Sequence, residues 1–455
     1  MGVEIGYHEG KEILQRLSQD LDAFANYHAS EVARALRELE IEEGRDAFLA
    51  ALRAIPEEHL GEVLLELPEH LKDEALEELS VKKLTEAVDE LDSDDAADLM
   101  QDIEALDSDK EQEILSHLDD EEVREIETLK SYEENQAGSL MQTELFAAGL
   151  DEKVSEAIER LRKLRREKGL ENVHQVFLVD EFGFLVGAMP LEEVITFDFS
   201  KSFREYLQEQ HKLTHSVRST DPVDEVVRLF EDYDLVVLPV VDDRGKLIGR
   251  ITYDDIVDVI EERATEQIYK MVGVDEESEE EREIGVITRK RAIWLGVNLV
   301  TAILASLVIG LFDETIQAYV ALAVLMPIVA SMGGNAGTQS LTVMVRQLAL
   351  GEIGWSEAKQ AVWREVTVSL LNGLIFAAVM GIVAVAWFHD PRLGLVIALA
   401  MVINLIFAGL FGAMIPLGLK RVGVDPAVAS SVLLTTVTDV VGFFAFLGLA
   451  KVILL

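Results

Sequence analysis

The stretch SMGGNAGTQS occupies positions 331–340, between ALAVLMPIVA (321–330) and LTVMV (341–345). Its flanks are apolar enough for a membrane span, yet its centre carries glycines and hydrogen-bonding side chains. Pro327 with Gly333, Gly334 and Gly337 predicts a helix loosened or broken here. Exposed backbone carbonyls are tolerated at membrane depth only inside protein or beside water. Two uses fit the pattern. Freed carbonyls and the neutral oxygens of Asn335, Thr338 and Gln339 would line a cation path, or small residues would let helices pack closely with no ligand.

Further apolar runs surround this one. Residues 292–312 (AIWLGVNLVTAILASLVIGLF) are uncharged and long enough to cross a bilayer, and runs follow at 315–345, 366–388, 393–419 and 427–450. The reading is a five-span α-helical membrane domain. TRKR (288–291), then Arg346, Lys359 and Arg364, then Lys420 and Arg421 alternate with the poorly basic DET (313–315) and HDPR (389–392). The positive-inside rule therefore places the N-terminal half in the cytoplasm and the C-terminus outside a cell membrane. MGVEIGYHEGKE at the start lacks a basic-then-apolar signal pattern, in keeping with that orientation.

Charge divides the chain at the same place. From Val286 onward there are 10 Lys+Arg and 8 Asp+Glu, so the first 285 residues hold 30 basic and 76 acidic residues, a net of −46. Such acidity repels phosphate and argues against a nucleic-acid partner. It suits cations, although a solvated acidic surface has the same composition. With no cysteine, disulfides, thiolate zinc sites and cysteine nucleophiles are excluded. No Walker loop, HExxH or nucleophile elbow is present, so an enzyme is not expected. His174, His211 and His215 read as surface residues.

The acidic half contains two repeats. IPEEHLGEVLLEL, LPEHLKDEALEEL, SVKKLTEAVDEL and SDDAADLMQDI recur between about 55 and 130, each a Pro, Ser or Asp cap followed by helical apolar spacing. They predict short helices stacked into an α-helical superhelix over 1–135. VFLVDEFGFLVGAMPLEEVI (176–195) and VLPVVDDRGKLIGRITYDDIVDVI (237–260) then each read strand, acidic turn, strand, helix, preceded by amphipathic helices at 154–164 and 223–233. This α/β pattern resembles a tandem pair of CBS domains over 136–262. The resemblance implies a regulatory module that often dimerises and often binds adenosine nucleotides such as ATP. A charged connecting helix over 263–288 leads to the membrane domain at 289–455.

Within the expected spans one charge stands out, Asp439 in LLTTVTDVVGFF (433–444). Intramembrane carboxylates are expensive and usually functional. Thr435 lies four residues before Asp439 and shares its helix face; Thr436 and Thr438 add hydroxyls. The carboxylate either lines an aqueous cation path or is protonated or bonded to another span. Carboxylate, amide, hydroxyl and carbonyl oxygens suit hard cations such as Mg²⁺ or Ca²⁺, and a sparse site suits Mg²⁺ that keeps its waters.

Acidic superhelix, paired CBS pattern, connecting helix, MGGNAGTQ in the second span and TTVTD in the fifth together resemble the MgtE family of magnesium channels, over nearly the whole chain. The resemblance implies a homodimer with its pore at the membrane dimer interface. It also implies closure by Mg²⁺ bound among the cytosolic domains, with the connecting helix as a plug. Asp439 matches the pore carboxylate, and Gly333, Gly334, Asn335, Gln339, Thr435 and Thr436 would line the path. Asp425 in GVDPA matches an acid that meets the plug through Mg²⁺. Asp255, Asp258 and Glu266 match sensor acids, as do Asp224 and Asp234, while Glu231 falls where a backbone carbonyl serves. Glu62, Asp94 and Asp98 match acids that bridge to the CBS pair. Arg263 and Gln267 stand where acids are expected, so one sensor site is missing or rebuilt. Two alternatives remain: a transporter of another divalent ion (Co²⁺, Mn²⁺ or Ca²⁺), and a membrane-anchored CBS nucleotide sensor without transport.

Overall fold

Short capped helices open the chain, as the repeat predicts. They are α1 (Ala29–Glu43), α2 (Arg45–Arg53), α3 (Glu57–Leu65), α4 (Glu69–Glu78), α5 (Val81–Asp89), α6 (Ser93–Leu106), α7 (Ser108–Leu115) and α8 (Asp120–Leu129). Pro56 and Pro68 precede α3 and α4, where the missing N–H costs nothing. The Ser80 hydroxyl accepts from the Lys83 amide, and an Asp107 carboxylate oxygen accepts from the Asp109 and Lys110 amides at 3.1 Å each. Every helix from α1 to α6 packs on the helix two positions further along, which is how a stack of short helices winds into a superhelix. Their apolar faces form one core around Phe48, Leu60, Leu71, Leu84 and Leu99.

The computed structural model describes residues 13, 27–167, 170, 172–209, 214–274, 284–351, 353–428 and 430–455. His211, most of the first 26 residues and part of the expected connecting helix (275–283) lie outside the described residues. The chain divides into two compact units, Met1–Glu261 and Glu262–Leu455.

After α8 the first unit continues with β1 (Ala147–Gly149), α9 (Val154–Glu167), β2 (Gln175–Val179), β3 (Leu185–Pro190), α10 (Leu191–Thr196) and α11 (Phe203–Glu209). Then come β4 (Val217–Arg218), α12 (Val223–Tyr233), β5 (Val237–Val241), β6 (Leu247–Thr252) and α13 (Tyr253–Val272). The two sheets share one topology. β1 runs parallel to β2 and β2 antiparallel to β3; β4, β5 and β6 repeat the pattern. The weakly patterned first copy thus folds like the second. α6 joins the superhelix to the second sheet. Ala97 enters the core formed by Leu129, Val226, Leu238, Ile251 and Ile256. The Ser93 hydroxyl donates to Glu144 Oε2 (2.9 Å) and accepts from the Thr143 amide (2.8 Å).

The second unit holds five helices long and apolar enough to cross a membrane: α14 (Ile284–Gly310), α16 (Ala321–Ala349), α17 (Ala358–Phe388), α18 (Pro391–Arg421) and α19 (Ser430–Ile453), with a short α15 (Asp313–Ala318) after the first. α18 is central, with 56% of its apolar window buried, whereas α14 has 6%. The expected break in the second span does not occur: α16 runs unbroken through Pro327 and all three glycines. Each glycine costs a helix about 1 kcal/mol relative to alanine. Close packing on α18 and α19 offsets that cost at Gly333 and Gly337, as the contacts below show.

The junction at Ser93 gives a direct test. Ser93→Ala removes the shared hydroxyl of a buried junction, a loss of about 1–2 kcal/mol. Hydrogen exchange of the full-length protein should quicken at the first amides of α6 while the α1–α4 amides keep their protection.

Candidate functional site

Two regions collect the residues singled out from the sequence. In the membrane unit, Asp439 is half-buried on α19, with Thr435 exposed one turn before it. The hydroxyls of Thr435, Thr436 and Thr438 donate to the carbonyls of Ser431, Val432 and Thr435 at 2.8, 2.7 and 3.1 Å. Their protons are thereby used within the helix; exposed Thr435 and half-buried Thr436 keep oxygen lone pairs to accept from water, whereas Thr438 is fully buried. α16 packs beside α19 with Leu434 in the notch at Gly337, where an added Cβ would come within 2.9 Å of Leu434 Cδ1. MGGNAGTQ and TTVTD therefore lie on adjoining helices. Asn335 and Gln339 are exposed, Gly334 is partly open, and the Asn335 amide donates to Ser331 Oγ at 3.4 Å.

The glycines divide by face. Gly333 is buried and an added Cβ would collide with Asn404 of α18; Gly442 of α19 meets the same side chain, 2.8 Å from its Nδ2. Asn404 is fully buried, donates to the Val329 carbonyl at 2.8 Å, and leaves its Oδ1 with no hydrogen-bond partner. Gly333 thus seats Asn404, and the packing use of the motif holds at Gly333 and Gly337. Sequence reasoning missed Asn404 because one asparagine in LAMVINLIF gives no periodic signal. It also placed the third span from 366. α17 starts at Ala358, so a second acid, Glu365, lies buried within a spanning helix, and Asp439 is not the single charge there.

In the first unit the acids gather at the start of α6. Asp94 is buried, and its carboxylate accepts from the Asp95 amide at 3.0 Å. Burial raises its pKa well above the ordinary 3.8, and repulsion from Asp255 and Asp95 adds to that. Burial, then Asp255, Asp92, Asp98 and Glu62, push Asp95 up to about 7. Asp98 keeps an open edge, yet loss of hydration and Asp102 raise it to about 6 against the pull of Lys72. Asp255 rises to about 6 through burial, although Thr252 Oγ1 donates to it at 2.6 Å and favours the charged form. The fold therefore brings Glu62, Asp94, Asp98 and Asp255 into one electrostatic neighbourhood. It adds Asp95, three residues before Asp98 on the same helix, which the sequence reading did not single out. Asp258 joins through Asp255.

The other expected sensor residues lie apart. Asp224 opens α12 and Glu231 is exposed near its end, while Asp234 is its left-handed C-cap (φ 50°). In the second unit, Lys270 pairs with Glu266 and with Asp425, the latter at 3.2 Å. Burial opposes the Lys270 charge, but these two carboxylates outweigh it and raise its pKa. A lysine thus joins Asp425, which the resemblance has meeting the plug through Mg²⁺, to the expected sensor acid Glu266. Among the described residues, no three acidic or histidine side chains converge as a complete metal shell.

The cluster makes the first unit pH-sensitive. Asp94, Asp95 and Asp255 hold protons when folded that the unfolded chain releases near pH 4. Stability from this cluster therefore falls as pH rises from about 4 to about 7. In chelator, the melting temperature of the full-length protein should drop between about pH 5.5 and about pH 7.5, by roughly 2–4 °C per kcal/mol lost. Asp94→Asn with Asp95→Asn should flatten that slope, and an unchanged slope would disprove the assignment.

The superhelix, the second sheet and most of the membrane unit fall within segments that match known families. The family model for the MgtE divalent cation transporter covers residues 326–449, that for the MgtE intracellular N domain 27–135, and that for the CBS domain 214–262. The magnesium transporter MgtE of Thermus thermophilus is 36% identical over 332 residues, 72% of each chain. That of Enterococcus faecalis is 32% identical over 327 residues, 72% of this chain and 71% of its own. A solved cytosolic domain of the Mg²⁺ channel MgtE, in complex with ATP, aligns at 32% identity and a TM-score of 0.48, covering 56% of this chain and 100% of that one. At 36% identity across nearly three-quarters of both chains, this chain belongs to the MgtE family of magnesium transporters.

Proposed function

We propose that the protein carries Mg²⁺ across the membrane along a path lined by α16 and α19, and that the same ion, bound in the cytoplasm, closes it. One observation carries the transport reading: a half-buried carboxylate, Asp439, follows an exposed threonine on a membrane helix beside exposed Asn335 and Gln339. Polar side chains at that depth are costly against lipid and affordable against water or protein. A second copy of the chain, facing these residues across a twofold axis, would enclose them around water. Two Asp439 carboxylates would then attract a cation, while amide and hydroxyl oxygens accept from its water shell. Mg²⁺ dehydrates reluctantly, so a wide, mostly neutral path with one acid per chain suits it better than a dry cage of carboxylates.

Closure follows from the first unit. With little Mg²⁺, Asp94, Asp95, Asp98 and Asp255 repel one another and favour separation of α6 from α13. Divalent ions, which need neither direct nor complete coordination to screen such charges, remove the repulsion and favour the compact arrangement. A ligand shifts an equilibrium only through its differential affinity, and several weak sites acting together supply that difference. The basic flanks of the spans support a cytoplasmic first unit, where it would sense the internal ion.

Asp439→Ala should abolish Mg²⁺ uptake into proteoliposomes while the protein keeps its elution volume and helicity; normal uptake by this variant would sink the path assignment. Asp94→Asn with Asp98→Asn should leave uptake at low internal Mg²⁺ intact and weaken its inhibition as internal Mg²⁺ rises. Unchanged inhibition would count against the sensing role. Competition by Co²⁺, Mn²⁺ or Ca²⁺ in the same assay separates Mg²⁺ from the other divalent cargoes.

A further inference from the structure

A groove of 380 Å³ opens between the start of α17 and the end of α18, lined by none of the residues singled out on α16 and α19. α17 and α18 are joined by the short turn at 389–390, so Ala358 and Arg421 stand at the same end of an antiparallel pair. Trp355, Trp363, Lys359 and Arg421 edge the groove, and Val362 and Leu417 floor it. Trp355 and Trp363 are 60% and 62% exposed. Below Trp363 the same face of α17 continues through the exposed Leu370 and Leu374, seven and eleven residues further along.

Neither Lys359 nor Arg421 has an ion-pair partner among the described residues. The nearest acid in sequence, Glu357, turns its carboxylate to the Gly354 amide (2.9 Å) and the Ser356 hydroxyl (2.8 Å). Adjacent Lys420, by contrast, is engaged: its ammonium donates to the Leu348 carbonyl at 3.2 Å.

We propose that this groove binds the phosphate headgroup of an anionic membrane phospholipid, whose acyl chains run down the exposed face of α17. Two cations at a helix end attract the phosphate. Indole rings favour the headgroup level, where one edge is wet and the face is apolar. The Val362–Leu417 floor and the apolar face below it match the glycerol and the first methylenes. A soluble acidic segment would satisfy the cations and leave that face empty. A second copy docked through the same end would set like charges against each other.

The test uses the full-length protein in detergent, titrated with phosphatidylglycerol or phosphatidylcholine and read by native mass spectrometry. Phosphatidylglycerol should be retained in preference to phosphatidylcholine. Lys359→Gln with Arg421→Gln should weaken that retention by roughly 30-fold, about fivefold for each basic side chain near an anionic headgroup. The charge-keeping pair Lys359→Arg and Arg421→Lys should retain it, which separates loss of charge from loss of fold. Equal retention of both lipids, or of phosphatidylglycerol by wild type and the Gln pair, would overturn the proposal. Displacement by equimolar glycerol phosphate would show a soluble-phosphate site and overturn it too. So would a disulfide between two chains carrying Trp363→Cys, the only cysteine in that variant, because it would place a second copy in the groove.

Discussion

Carboxylates placed where no base balances them set the character of the first unit. At the start of α6, Asp94 and Asp95 are stripped of water and face Asp255 of α13, and the nearby cation Lys72 is held by Asp102 at 2.6 Å. A buried, unpaired charge is among the most expensive things a protein can contain. Such groups either take up protons or draw in a cation. Here the cost falls on the junction between the superhelix and the second sheet, which also holds the Ser93 hydrogen bonds and the Ala97 core. In the proposed mechanism, a junction tied by apolar contacts and strained by repulsion has two arrangements close in energy. That is what an ion-responsive element requires.

The membrane unit solves the opposite problem. It must admit a strongly hydrated ion without trapping it, so its polar groups are neutral and its acids few. The glycines of SMGGNAGTQS serve this indirectly. Gly333 and Gly442 leave room for the Asn404 side chain, which ties α18 to the Val329 carbonyl of α16. The helices bearing Asn335 and Asp439 are thereby held close together, as the proposed path requires. The helix stays continuous, so in the proposed path its side chains, rather than freed carbonyls, would supply the oxygens.

Much of this was legible in the sequence because it is periodic or local. Caps followed by helical spacing marked the short helices, the strand–turn–strand repeat marked both sheets, and long apolar runs marked the five spans. The unbroken second span was misread: proline and glycine report local propensity, and their cost here is met by partners far away in the chain. Asn404, Glu365 and Lys270 were missed for a related reason. Each acquires its meaning from a neighbour distant in sequence: Val329 for Asn404, and the Gly409 face of α18 for Glu365, whose carbonyl an added Cβ there would meet at 2.9 Å. For Lys270 that neighbour is Asp425, 155 residues away. Lys270 also changes how the Arg263 and Gln267 departures read. In the proposed reading, a chain that carries its own cation between Glu266 and Asp425 has less need of a divalent ion there, and the α6 cluster would carry more of the sensing.

The central claim is that the cation carried by the membrane unit also governs it through that cluster. The most direct measurement is Mg²⁺ flux through proteoliposomes of uniform orientation, with Mg²⁺ varied only on the side bathing the first unit. The account predicts flux that is high when that side is depleted and falls cooperatively as Mg²⁺ there rises. Flux indifferent to Mg²⁺ on that side, in protein that still transports the ion, would contradict it.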